Sequence, residues 1–136
     1  MDKAKLFEEF LASGDVLRLY AGYRLVFRSG QPGLRGLVAY LRSSKPVDGD
    51  ITAFDRVVGN AAALLIKKLA CREVFSPRGS QAAAKTLADC GISYHFTETV
   101  PAIQNRDKTG LCPMEQLSLG KGPEAFYQAC LALGIG

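Results

Sequence analysis

Leu6, Phe7, Phe10 and Leu11 recur at helical spacing, and Lys3, Lys5, Glu8 and Glu9 fill the positions between them. This pattern predicts an amphipathic helix within residues 1–14 that Gly14 stops. Two β-rich runs, 15–20 and 23–28, flank Ala21 and Gly22 and predict a hairpin. Residues 29–33 read as a Gly- and Pro-containing loop, after which Leu34, Leu37, Val38 and Leu41 return to helical spacing. Residues 43–50 form the longest polar stretch and read as a connection across the surface.

From Ile51 the pattern alternates. It predicts a strand at 51–57, a helix at 59–70, a strand at 72–76, a helix at 79–90 and a strand at 92–100. A loop at 101–111, a short helix at 113–119 and a final helix at 124–133 complete the chain. Strands alternating with helices predict parallel neighbours covered by helices, and the hairpin adds antiparallel strands, so the sheet is mixed.

The length of 136 residues suits one domain, with a core over about 15–119 between terminal helices. The net charge of +4 comes from scattered Lys and Arg. That distribution draws no nucleic-acid stripe, and a basic pocket for a small anion fits as well. The first helix lacks the uninterrupted apolar core of a signal peptide. The apolar run 61–66 is too short to span a bilayer. Cys71, Cys90, Cys112 and Cys130 include no Cys-x-x-Cys pair. We therefore expect a cytoplasmic protein with reduced thiols and no membrane association. The terminal helices, around Phe7, Phe10, Phe126 and Tyr127, carry a candidate apolar patch for forming a homo-oligomer.

In such a sheet, ligands gather where strands end and helix N-termini begin. Three segments have this character. In Asp55-Arg56-Val57-Val58-Gly59-Asn60, Gly59 allows a close backbone approach, and Asp55 and Asn60 are either ligand contacts or helix caps. In Ser76-Pro77-Arg78-Gly79-Ser80-Gln81, Ser80 is a candidate N-cap. Arg78 opposes the helix dipole there, which suits a ligand anion or a carboxylate lying opposite, or else it is a solvated side chain. In Asn105-Arg106-Asp107-Lys108-Thr109-Gly110-Leu111-Cys112-Pro113-Met114-Glu115, Pro113 suits a first helical position and Glu115 stands at a capping-box position. Cys112 then caps the helix, as an activated thiol or as a small apolar cap. His95, the single histidine, lies mid-strand and reads as a packing or surface residue.

The first and third of these segments resemble an uncharacterised prokaryotic domain-of-unknown-function family in the cytidine deaminase-like superfamily. The resemblance implies a three-layer α/β/α sandwich with a five-stranded mixed sheet. In that fold a catalytic zinc sits between two helix N-termini, held by His-x-Glu (or Cys-x-Glu) and Pro-Cys-x-x-Cys. Here Val58-Gly59-Asn60 and Pro77-Arg78-Gly79-Ser80-Gln81 stand at those places, and neither supplies the ligands. No cofactor is expected, zinc included.

The leading expectation is thus a zinc-independent small-molecule pocket around Cys112. Cys112 would be nucleophile or contact, Asp55 a catalytic partner, and Asn60, Arg78, Ser80, Arg106 and Asp107 ligand contacts. The alternatives are a non-catalytic ligand-binding or regulatory module, and a nucleoside- or nucleobase-type deaminase with an atypical site.

Overall fold

A computed structural model describes residues 2–43, 50–105 and 107–135. The chain opens with α1 (Lys3–Ala12), whose first turn is capped by the Asp2 carboxylate accepting from Lys5 N–H at 2.8 Å. Strands β1 (Leu17–Ala21) and β2 (Arg24–Ser29) pair antiparallel across Gly22, which adopts a positive φ of 62°. Helix α2 (Arg35–Ser43) follows. The expected connection at 43–50 lies, but for Ser43 and Asp50, outside the described residues.

The alternating half comprises β3 (Ile51–Asp55), β4 (Val57–Val58), α3 (Asn60–Lys68), β5 (Cys71–Ser80), α4 (Gln81–Asp89) and β6 (Ser93–Val100). Helices α5 (Pro113–Ser118) and α6 (Pro123–Ala132) close the chain. Strand β1 pairs antiparallel with β3, and β5 pairs parallel with β3, β4 and β6. The sheet is mixed, as the pattern predicts.

It has six strands rather than five, and the cause is local. Strands β3 and β4 run along the same edge of β5, with Phe54 opposite Phe75 and Val57 opposite Arg78. The ladders on both edges of β5 skip Pro77, which has no N–H to donate. The Ser76 hydroxyl bridges the gap, accepting from Arg78 N–H at 3.1 Å and donating to Arg78 C=O at 2.9 Å. The strand expected at 72–76 therefore continues through the proline to Ser80. The strand expected at 51–57 is instead divided at Arg56.

Alternation along the strands sends neighbouring side chains to opposite faces. Tyr20 and Phe54 meet Leu6, Phe7 and Phe10 of α1 on one face, with Phe75 at the margin. Leu17, Leu19, Ala53 and Val74 join α2, α3, α4 and α6 on the other. Phe10 and Phe126 are fully buried, and Tyr127 is buried beside them in rank, so the expected apolar patch is largely core. Arg56 fastens α1 to the sheet. Its guanidinium donates to the carbonyls of Phe10, Leu11, Ser13 and Asp15 and lies 4.7 Å over the Phe10 ring. Among the described residues, no helix is long and apolar enough to cross a membrane.

Candidate functional site

Asp55 ends β3, with its backbone opposite Leu17 of β1. Its side chain is only 4% exposed. Burial pushes its pKa up to about 7, against the pull of hydrogen bonds from the Val57 and Arg56 backbone. It lines a cavity of about 360 Å³ with Gly59, Ala61 and Ala62 of the α3 start, Leu34, and Ile103, Cys112, Met114 and Glu115. Asp55 and Cys112, distant in sequence, thus share one largely apolar space.

Cys112 is the N-cap residue of α5, as the Pro113 spacing predicts, with its N–H donating to Ile103 C=O at 3.0 Å. Its thiol makes no capping hydrogen bond. Glu115 departs from expectation. The sequence places it to cap its own helix, yet its carboxylate reaches α3 and accepts from Asn60 N–H at 2.8 Å and Ala61 N–H at 3.0 Å. Gly59, the N-cap of α3, has no side chain to offer, and Glu115 supplies the missing acceptor. A carboxylate at a helix N-terminus is also favoured by the helix dipole.

The remaining expected residues divide between caps and surface. Asn60 spends its amide inside the fold: Nδ2 donates to Ser118 Oγ at 3.0 Å and Oδ1 accepts from Thr86 Oγ1 at 2.5 Å. One side chain thereby ties α3 to α4 and α5. Ser80 is buried and caps α4, accepting from Ala83 N–H at 3.0 Å. Arg78 is exposed and faces the carboxylate of Glu98 across β5 and β6 at 3.5 Å. Asp107 is exposed, and Arg106 lies outside the described residues. His95 Nε2 hydrogen-bonds to the Glu73 carboxylate at 2.7 Å, and its ring stacks on Phe75 at 4.3 Å, on the α1 face of the sheet.

The expected residues do not close around one ligand. Asp55 and Cys112 share the cavity, whereas Arg78 lines a neighbouring groove of about 540 Å³ together with Lys108. Val57 and Ile103 border both spaces. Sequence reasoning missed Glu115, Ser118 and Thr86 as the partners of the α3 start. The available signal was Gly59 itself, an N-cap without a cap.

The family described as TM1506, domain of unknown function (DUF1893), matches residues 7–128, a span that contains every candidate residue. The chain belongs to the DUF1893 family. A crystal structure of a DUF1893 family protein (TM1506) from Thermotoga maritima, at 2.70 Å resolution, is 27% identical and superimposes with a TM-score of 0.81. The likeness covers 96% of this chain and 86% of that one. No curated protein matches the sequence. For this DUF1893 chain, family membership carries no reaction, and the geometry of the cavity has to supply the functional reading.

Proposed function

We propose that the chain binds a small molecule in the cavity beside Asp55 and Cys112, in a deaminase-like three-layer α/β/α sandwich that works without zinc. The observation that carries this reading is a buried carboxyl with a pKa near 7 on the wall of a largely apolar cavity. Buried titratable groups of this kind concentrate at functional sites. For the fold, support comes from the strand arrangement. Counting β3 and β4 as one interrupted strand gives five positions, in the order β2, β1, β3 with β4, β5, β6. Helices stand on both faces.

The helix N-termini do not fit a zinc ion. At α3 the space beside Gly59 is taken by the Glu115 carboxylate, and Asn60 is bonded to Thr86 and Ser118. At α4 the Ser80 hydroxyl caps its own helix, and Arg78 brings a positive charge. Among the described residues, no three of His, Cys, Asp and Glu gather as metal ligands.

The polar groups of the cavity also define the ligand. Every guanidinium nitrogen of Arg56 is spent on the carbonyls below α1. Among the residues that line the cavity, the carboxyls of Asp55 and Glu115 and the Cys112 thiol stand against one cation, Arg56. An apolar ring with a hydrogen-bond-donor or cationic edge matches this wall, and an anion does not. Binding of a cationic edge strengthens as pH rises through 7 and Asp55 ionises.

A second reading has Cys112 as a nucleophile and Asp55 as the acceptor of its proton, favoured by their shared cavity. Thermal shift with a panel of aromatic amines and amidines, on the wild type and on Asp55→Asn, tests the binding reading. It predicts a rise in Tm for the wild type that Asp55→Asn loses. No rise with any member of the panel contradicts it. For the nucleophile, alkylation of Cys112 no faster than that of Cys90 at every pH removes the thiol from the mechanism.

A further inference from the structure

We propose that the groove beside the cavity is a second binding site, selective for an oxyanion such as a phosphate or carboxylate. It is bounded by Val57, by Arg78 and Glu98 on β5 and β6, and beyond β6 by residues 101–105 and Lys108. Two cations border it against one carboxylate.

Both cations are available to a ligand. Arg78 meets Glu98 through Nε at 3.5 Å, with the two side chains 57% and 58% exposed. A pair so solvated is held weakly, and the guanidinium's two terminal nitrogens are left to grip an oxyanion. Lys108 has no ion-pair partner among the described residues. Its position is set by a closed turn, in which Lys108 N–H donates to Asn105 C=O and Asn105 N–H to Gly110 C=O. The side-chain amide of Gln104 adds a donor at the same wall, whereas that of Asn105 is held by Thr109 and braces the turn.

The groove is lined by two cations and one carboxylate, the Asp55 cavity by two carboxyls and one cation, and Val57 and Ile103 border both. The site does not rest on the cavity's being a ligand site. Where both are occupied, one ligand with a donor-bearing ring and an anionic arm spans the border.

Titration of the 136-residue chain with inorganic pyrophosphate, followed by NMR or calorimetry at low salt, tests the proposal. Arg78→Gln and Lys108→Gln are each expected to weaken binding about tenfold. Glu98→Gln, which removes the competing carboxylate, is expected to tighten it about threefold. Arg72→Gln, an exposed arginine near the other end of β5, serves as the control for bulk charge. Prior alkylation of Cys112 separates the two sites: pyrophosphate binding that survives it belongs to the groove. Binding that Arg72→Gln weakens as much as Arg78→Gln, or that ignores Glu98→Gln, overturns the proposal.

Discussion

The Glu115 carboxylate occupies the space that a side chain on residue 59 would fill: a Cβ on Gly59 would come within 2.2 Å of Glu115 Oε1. The glycine and the glutamate are two halves of one cap. Gly59 clears the approach, and Glu115 crosses from α5 to take the two N–H groups that open α3.

The pair should behave as a unit in stability measurements. Gly59→Ala is expected to cost about 2–4 kcal/mol, because the carboxylate must leave the helix end or the backbone must shift. Glu115→Ala should cost about 2–3 kcal/mol through the orphaned N–H groups. In urea denaturation the double variant should fall close to the worse single variant, since each change destroys the same contact. Full additivity would show that the two residues act separately.

Asp55 gives the protein a pH signature of its own. Its folded pKa of about 7 lies above the ordinary aspartate value of 3.8, so the folded state keeps a proton that the unfolded chain has released. Its stabilising contribution is full below about pH 4 and is lost as pH rises through 7. Relative to Asp55→Asn, the wild type should therefore lose stability across that window, by at most about 4 kcal/mol, and then level off. Unfolding curves at several pH values give the difference directly, and a flat difference would mean that Asp55 is solvated.

The order of strands and helices was legible in the sequence because apolar spacing sets it locally. Pro113 and Ser80 were legible for the same reason, each acting within its own helix. What the sequence did not disclose depends on contacts between distant segments. Pro77 reads as a strand end, and only pairing beyond it, with the Ser76 hydroxyl bridging the gap, carries β5 onward. Glu115 reads as a cap for its own helix, and its true partner lies 54 or 55 positions away. Asn60 and Arg78 were grouped with Cys112 by residue type. Folding gives Asn60 to Thr86 and Ser118, and turns Arg78 into a different groove.

Arg56 should matter for α1 rather than for the cavity. Arg56→Lys keeps the charge but loses the planar fork that reaches four carbonyls. We expect a loss of about 2–4 kcal/mol and faster amide exchange across α1, measured by hydrogen–deuterium exchange. Exchange that quickens equally in α6 would point to global loosening instead.

The thiols should divide into two classes under native alkylation. Cys71 is buried, its thiol lies within hydrogen-bond distance of the carbonyls of Ile51 and Glu73, either of which can accept its one proton, and burial pushes its pKa up to about 12. Cys130 is buried as well. Peptide mapping after brief iodoacetamide treatment should find label on Cys90 and Cys112 and none on Cys71 or Cys130.

The cavity claim meets its most direct test at Cys112. We would measure the rate of iodoacetamide alkylation at Cys112 at pH 8, with and without saturating benzamidine, using Cys90 as the internal reference. Benzamidine joins an apolar ring to a cationic edge, as the cavity wall and Asp55 require. The account predicts that Cys112 slows about tenfold or more while Cys90 is unchanged, and that Asp55→Asn abolishes the protection. Equal rates at Cys112 with and without the probe would contradict it.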